Sequence, residues 1–221
     1  TRLGVQVKTG INMGTGPDDT KLSQLMKDYD AVLMAMGCML AIPLPLKGLS
    51  EGDIDPVLEA PNAEYGLDFL TELHRGEDKV VGKRVAVIGA GFTALDCSRV
   101  ALRLGAEDVS VHIRTTEKYI PVTHEEIFES KREGVKILGL RTPVGLERDA
   151  DGNVTGVKFV QNRLGGYRAN GRREAVPIEG SEFIEPCDTV LVAIGQKTIN
   201  DCMDIDVGLD RWHNVRVGEN G

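Results

Sequence analysis

One stretch of the chain, residues 83–114, constrains its fold more than any other. It reads KRVAVIGAGFTALDCSRVALRLGAEDVSVHIR. The stretch opens with a short apolar, β-branched run, which is typical of a buried parallel strand. After a glycine turn, residues 92–104 have apolar side chains at helical spacing, and Gly105 is a typical helix end. Residues 109–113 predict a second strand. The stretch therefore predicts a strand–turn–helix–strand unit.

The turn in this unit has the spacing G-x-G-x-x-A, with Gly89, Gly91 and Ala94 at the fixed positions. In a turn that follows a strand and opens a helix, this pattern is typical of dinucleotide binding. The first glycine allows the sharp turn, the second lets the backbone approach a pyrophosphate, and the alanine lets the helix pack closely on the sheet. The N-terminus of the helix adds N–H donors and a positive dipole end. The alternative is a tight turn that binds no ligand. We predict that the pyrophosphate is bound by Gly89, Ala90, Gly91, Phe92 and Thr93.

The end of the second strand indicates which dinucleotide is bound. An acidic residue there hydrogen-bonds the ribose of NAD, whereas a basic residue accommodates the 2′-phosphate of NADP. The chain has Arg114 and Thr115 at this point and no carboxylate before Glu117. A guanidinium group suits phosphate because it can donate two parallel hydrogen bonds. We therefore predict NADP(H), with Arg114 and Thr115 at the 2′-phosphate. The alternative is that Arg114 is a solvated charge at a strand end.

Composition excludes several classes of protein. The net charge of −8 argues against nucleic acid as a partner. No apolar run approaches membrane-spanning length, and no secretory signal is present, so we predict a cytoplasmic protein without membrane insertion. The four cysteines form no C-x-x-C pair and no metal-ligand spacing, so we expect reduced thiols and no metal site. Because the chain begins at Thr1 without an initiator methionine, we expect a segment of a longer protein.

Two similar segments flank the nucleotide motif. Residues 30–37 (DAVLMAMG) and 188–195 (DTVLVAIG) each have an Asp, an apolar run that predicts a strand, and a small C-terminal end. Small residues at a strand end let a backbone approach a ligand closely. We interpret the pair as crossings between two domains; the alternative is two similar core strands. The alternating residues 4–8 also predict a short strand.

The region between Arg114 and residue 188 predicts one helix and several further strands. Thr123 and Glu126 form a capping box, which predicts a helix to about residue 132, and residues 135–138 predict a third parallel strand. Residues 144–147 and 154–162 predict antiparallel strands. The Gly-rich residues 164–173 predict an exposed loop, and residues 175–178 a further strand. The fold class is therefore α/β, a Rossmann-like three-layer nucleotide-binding domain with an antiparallel β-meander.

Further motifs occur in the order found in one known family. They are GLDFLT at 66–71, GKRVAVIGAG at 82–91, TALDC at 93–97 and AIGQ at 193–196. The chain resembles the two-dinucleotide-domain flavoprotein reductases, and among them the glutamate synthase small (β) subunit group, over nearly its whole length. The resemblance implies four parts. Residues 1–48 are a fragment of an FAD domain, 49–82 a linker with a connecting helix, 83–186 the NAD(P)H-binding domain, and 187–221 a crossing back into the FAD domain.

The resemblance also implies an activity. The parent protein is expected to pass a hydride from NAD(P)H to FAD, and electrons then to a partner subunit or to iron–sulfur clusters outside this segment. Ile194 and Gly195 are expected near the nicotinamide, and no residue of the chain is expected to act as a catalytic acid or base. Two alternatives stay open: a disulfide reductase of the thioredoxin or glutathione reductase type, and a non-catalytic NADP(H)-sensing module.

Overall fold

The computed structural model describes residues 3–46, 57, 59–200, 202–210 and 214–218. The chain divides into two compact units, residues 1–40 with 196–221 and residues 41–195. The helices are α1 (Leu22–Asp28), α2 (Gly66–His74), α3 (Phe92–Arg103) and α4 (His124–Glu133), with a 3₁₀ turn at Glu117–Tyr119. The strands are β1 (Leu40–Ala41), β2 (Ala63–Tyr65), β3 (Arg84–Gly89), β4 (Asp108–His112), β5 (Lys136–Leu138), β6 (Arg141–Arg148), β7 (Val154–Tyr167), β8 (Arg173–Pro186), β9 (Thr189–Ala193) and β10 (Gln196–Lys197).

The second unit is built on a five-stranded parallel sheet in the order β2-β9-β3-β4-β5. Its central strands are continuous apolar runs because both faces of the sheet are covered. The predicted strand–turn–helix–strand unit is confirmed as β3, α3 and β4, and the predicted third strand as β5. The capping-box helix is also confirmed, since the Thr123 hydroxyl accepts a hydrogen bond from the Glu126 N–H (3.3 Å) at the start of α4.

Three layers enclose two apolar cores. Helices α2, α3 and α4 cover one face of the parallel sheet, with Phe69, Leu95 and Ile127 buried against it. The antiparallel strands β6, β7 and β8 cover the other face, where Val157 and Phe159 are buried. The predicted three-layer α/β class with an antiparallel meander is therefore confirmed.

The hairpin formed by β7 and β8 is longer than the sequence predicts. Pairing continues from Asn162 with Pro177 out to Tyr167 with Arg173, so the exposed loop expected at 164–173 is wrong. This outer half pairs only within itself, because β6 ends its pairing at Gln161. Polar and glycine residues are tolerated there because both faces of the ribbon are largely open to solvent.

The first unit differs most from expectation. The strands predicted at 4–8 and 30–37 are wrong: both segments are irregular, and Leu33 is 91% exposed. A strand needs a neighbour for its backbone hydrogen bonds, and no strand of the described residues pairs with either segment. The similar residues 188–195 instead contain β9, between β2 and β3. The division into FAD and NAD(P)H domains stays a prediction, and residues 49–56 and 58 of the expected linker lie outside the described residues.

Candidate functional site

The candidate site lies at the carboxyl edge of the parallel sheet, where β3 ends. From β3 the chain passes through α3 to β4 on one side, while β9 lies on the other. In open α/β sheets, ligands bind outside the carboxyl ends of the strands at such a switch point. The end of β3 at Gly89, the residue after β9, Ile194, and Arg114 just beyond β4 share this edge. The fold therefore places the predicted groups along one side of the sheet.

Gly89 is a glycine because the fold requires one. Its φ is +153°, and a Cβ atom added there would lie 2.2 Å from the carbonyl oxygen of Ala193 in the neighbouring strand. The same Cβ would lie 3.2 Å from the methyl group of Ala94, a fully buried residue of α3. The close packing of β3, β9 and α3 thus accounts for Gly89 without any ligand.

Gly91 is a glycine for a different reason. It precedes α3 with φ −99° and ψ 179°, an extended conformation that any residue adopts. A Cβ added there would meet no heavy atom within 4 Å. The space beside Gly91 is therefore open, and it lies at a helix N-terminus, where N–H groups and the helix dipole favour an anion. The residues here fit a pyrophosphate, because a side chain would fill the space that the ligand needs.

The other predicted pyrophosphate residues surround this glycine. Ala90 is half-buried against the helix-side core. Phe92 begins α3 and is 50% exposed as a residue, and Thr93 is half-buried in the first helical turn. Their backbone borders the open space beside Gly91, as the sequence predicts, while their contact with a nucleotide stays a prediction.

Arg114 provides an uncommitted positive charge at this edge. Its side chain is exposed and makes no hydrogen bond or ion pair with any described residue. Thr115 is half-buried, and its hydroxyl lies 3.5 Å from the carbonyl oxygen of Thr116. A free guanidinium can donate charge-assisted hydrogen bonds to a phosphate without first breaking an ion pair. The arrangement therefore suits a phosphate beyond β4.

The backbone around Arg114 is tied to two residues that the sequence analysis missed. The Asn162 side chain of β7 donates a hydrogen bond to the Arg114 carbonyl oxygen (2.9 Å), and the Leu140 N–H donates one to the Thr115 carbonyl oxygen (2.8 Å). The only sequence signal for Asn162 is a polar residue near the end of a largely apolar strand pattern. Nothing in the sequence distinguishes Leu140.

Ile194 and Gly195 follow β9 at the same edge. Ile194 is half-buried against the core beneath the antiparallel sheet. Gly195 has φ +140°, and its carbonyl oxygen accepts a hydrogen bond from the Ile42 N–H (3.1 Å). A Cβ at Gly195 would lie 3.0 Å from the Ile42 side chain. The position that a Cβ of Gly195 would take is thus crowded by Ile42, and the proximity of Gly195 to a nicotinamide stays a prediction.

The buried titratable groups near the sheet are not poised for proton transfer. His112 is 2% exposed and stacks on Phe159, with a ring-centroid distance of 4.5 Å. Burial, and secondarily the charge of Arg141, lowers the pKa of His112 to about 3, so its imidazole is neutral at physiological pH. Burial raises the pKa of the Cys97 and Cys187 thiols to about 12, so neither is a reactive thiolate.

Comparison with known proteins identifies related chains. Residues 4–221 match the family model for pyridine nucleotide-disulphide oxidoreductases. The chain is 37% identical to the NADPH-Fe(3+) oxidoreductase subunit beta of Geobacter sulfurreducens, over 96% of this chain and 31% of that protein. It is 34% identical to the glutamate synthase [NADPH] small chain of Escherichia coli, over 90% of this chain and 42% of that protein. The chain thus spans less than half the length of these relatives.

A solved structure has the same fold. Mycobacterium tuberculosis FprA, solved in complex with NADPH, superposes with a TM-score of 0.65 at 17% identity. The match covers 86% of this chain and 54% of FprA. At this identity the likeness concerns the fold alone, and it extends over most of the chain.

Proposed function

This chain belongs to the pyridine nucleotide-disulphide oxidoreductase family, and from that premise we propose that it is the NADPH-binding part of a flavoprotein oxidoreductase. The observation that carries the proposal is the open space beside Gly91, at the N-terminus of α3 and the switch point of the sheet. Glycine is not needed there for packing or for backbone conformation. A pyrophosphate lying against the backbone explains why a side chain is absent.

The residues at the sheet edge bind and orient the nucleotide. Backbone N–H groups of the Gly89–Thr93 turn hold the pyrophosphate, and Arg114 with Thr115 holds the 2′-phosphate. Ile194 and Gly195 border the nicotinamide at the carboxyl end of β9. The cofactors supply the chemistry, which is hydride transfer from NADPH to FAD. We assign no catalytic acid or base among the described residues, and the buried His112 is neutral at physiological pH.

The choice of NADPH over NADH rests on Arg114. Its guanidinium is exposed and unpaired within the part of the chain that the structure describes. The names of the relatives from Geobacter sulfurreducens and Escherichia coli both include NADPH. A free guanidinium just beyond β4 suits the 2′-phosphate of NADP.

In the whole protein, a partner subunit or iron–sulfur clusters outside this segment would accept the electrons from the flavin. Two relatives are named as a subunit beta and a small chain, that is, as parts of larger enzymes. The disulfide-reductase alternative needs a redox-active pair of cysteines. All four cysteines are unpaired in the structure, and burial raises the pKa of the Cys97 and Cys187 thiols. The nucleotide-sensing alternative is distinguished from the proposal by flavin reduction in the whole protein.

The cellular location that we propose rests on the proposed use of NADPH. None of the helices among the described residues has the length and apolar character that crossing a membrane requires. We place the protein in the cytoplasm, where NADPH and reduced thiols are both available.

Calorimetric titration of the purified chain with NADPH and with NADH tests the proposal. We expect NADPH to bind more tightly, and Gly91→Val to weaken both nucleotides by at least about tenfold, because the isopropyl group fills the pyrophosphate space. Gly166→Val is the matched control, since a Cβ at Gly166 in β7 also meets no heavy atom within 4 Å. Unchanged affinity in a folded Gly91→Val variant would refute the pyrophosphate assignment, and tighter binding of NADH would refute the NADP assignment.

A further inference from the structure

We infer that Asn162 is a positioning residue for recognition of the 2′-phosphate: its amide holds the backbone that presents Arg114. The inference rests on the proposed function, since it assigns a second residue to the same site. Asn162 lies on β7 in the antiparallel layer, a different element from the β4 end that it contacts.

The amide of Asn162 is held in one orientation. Asn162 is 4% exposed, and its Nδ2 atom donates to the Arg114 carbonyl oxygen (2.9 Å) and to the Thr142 hydroxyl (2.8 Å). A backbone carbonyl can only accept, so the group facing Arg114 has to be the NH₂ and not the oxygen. A flipped amide would place two acceptors against each other in a buried site. Asn162 therefore makes a directed contact with this carbonyl.

The same segment is held on both sides of Arg114. The Arg141 N–H donates to the Ile113 carbonyl oxygen (3.0 Å), and the Leu140 N–H donates to that of Thr115 (2.8 Å). With the Asn162 amide, three consecutive carbonyl groups, those of residues 113–115, each accept a hydrogen bond. These three hydrogen bonds, donated by Asn162, Leu140 and Arg141, form a clamp on the backbone of residues 113–115.

The turn that supplies part of this clamp has an unusual backbone. Leu140 has φ +60°, the one positive φ of a non-glycine residue among those described. A branched side chain rarely adopts this conformation, and such strain is kept only where the surrounding structure determines it. Next to it, a Cβ at Gly139 would lie 2.8 Å from the Thr115 carbonyl oxygen. The turn between β5 and β6 is thus shaped around the segment that carries Arg114.

The clamp matters because the Arg114 side chain has no other restraint. Its guanidinium is exposed and unpaired among the described residues, so its reach is set by the position of its backbone. A long side chain loses rotamer freedom when it binds a phosphate, and a displaced backbone would add to that loss. Loss of the Asn162 contact should therefore weaken the binding of NADPH, which has the 2′-phosphate, and leave the binding of NADH unchanged.

Calorimetry with NADPH and NADH, which differ only in the 2′-phosphate, tests the inference. We expect Asn162→Ala to reduce the NADPH-over-NADH preference by about fivefold, with NADH affinity changed by less than about twofold. Thr142→Val, which removes the hydroxyl that orients the amide but keeps Asn162, should reduce the preference by about twofold. Asn153→Ala is the control, because it removes an amide from the turn between β6 and β7, where Asn153 contacts Asp149.

The outcomes separate the inference from the proposed function. A folded Asn162→Ala variant that keeps the wild-type preference, or loses both nucleotides equally, would overturn the positioning role and leave the proposed function standing. If Asn162→Ala fails to fold by circular dichroism, an unchanged preference in Thr142→Val would overturn the role. Binding of neither nucleotide by the wild-type chain would overturn the proposed function and the inference together.

Discussion

Two glycines of a single turn serve different purposes. Gly89 has φ +153°, and an added Cβ would collide with the Ala193 carbonyl oxygen at 2.2 Å. Gly91 has an ordinary extended backbone and open space beside it. One glycine is required by packing between strands, and the other is explained by a ligand. Substitution by alanine separates the two roles.

We expect Gly89→Ala to lower the free energy of unfolding by about 2–4 kcal/mol, from backbone strain and overpacking against Ala193. Gly91→Ala should change it by less than about 0.5 kcal/mol, because its backbone and surroundings accept a methyl group. Urea denaturation followed by circular dichroism measures both values. Equal destabilisation by the two substitutions would contradict this division of roles.

Arg114 is the residue on which cofactor choice depends. Arg114→Ala should weaken the binding of NADPH by about ten- to a hundredfold, the range expected for a charge-assisted hydrogen bond, and leave the binding of NADH almost unchanged. The exposed Lys118 keeps some positive charge nearby, which favours the lower figure. Arg172→Ala at the exposed hairpin turn makes the same change in net charge and serves as the control in the same titration. Equal losses for both nucleotides would show that Arg114 supports the fold or the shared pyrophosphate.

The buried His112 makes stability depend on pH. Its pKa is lowered to about 3 in the folded protein, below the unfolded value of about 6.5, so protonation favours unfolding. The stability that depends on a neutral His112 is fully present above about pH 6.5. As the pH falls toward 3, this part of the free energy of unfolding is lost by about 1.4 kcal/mol per pH unit. His112→Phe keeps a ring against Phe159. Between pH 6 and 4, its free energy of unfolding in urea denaturation should fall by about 1.4 kcal/mol less per pH unit than that of the wild type. An unchanged slope would show that His112 does not take up a proton on unfolding.

At the scale of elements, the amide of Asn62 links the parallel sheet to the antiparallel sheet of β6, β7 and β8 near the amino ends of β2, β7 and β9. The Asn62 side chain, just before β2, donates to the carbonyl oxygens of Val154 (2.8 Å) and Asp188 (2.9 Å). Its Oδ1 atom accepts a hydrogen bond from the N–H of the buried Val154 (2.7 Å). Asn62 thus links the start of β7 to the residue before β9, and so the antiparallel layer to the parallel one.

Asn62→Ala should lower the free energy of unfolding by about 2–4 kcal/mol, because it removes the hydrogen bonds of Asn62 to the buried Val154 N–H and to two carbonyl groups. Urea denaturation tests this, with Asn170→Ala as the control. Asn170 lies in the exposed turn of the β7–β8 hairpin, where its side chain accepts a hydrogen bond from the Arg172 N–H (3.2 Å). A loss for Asn62→Ala no larger than that of the control would contradict the link between layers.

At the scale of the whole molecule, the first unit exposes many apolar side chains. They include Leu3, Val5, Val7, Ile11, Met26, Tyr29, Leu33 and Met39. Isolated exposed apolar residues are ordinary, but so many in one short unit are typical of a surface that is covered in the functional protein. Under the proposed function this unit belongs to the FAD domain of a longer flavoprotein.

We therefore expect the purified chain to contain FAD well below one equivalent, and to enhance the fluorescence of an apolar dye such as anilinonaphthalene sulfonate. Replacement of Leu3, Val7 and Leu33 with serine should reduce the dye signal, because it removes exposed apolar surface. The visible absorbance of the flavin and the dye fluorescence are the measurements. A yellow protein with stoichiometric FAD would show that the flavin site is assembled from residues assigned to other roles.

Local signals in the sequence were sufficient to predict β3, α3, β4 and α4, because each of these elements depends on its own periodicity and on nearby groups such as the Thr123 cap. They also located the edge of the sheet at which Gly89, Gly91 and Arg114 lie. Tertiary structure decided what depends on a partner. Residues 30–37 and 188–195 have nearly the same pattern, yet only the second becomes a strand, because only it has neighbours to share backbone hydrogen bonds. Asn162 contacts a carbonyl 48 residues away along the chain, and no pattern of neighbouring residues predicts such a contact.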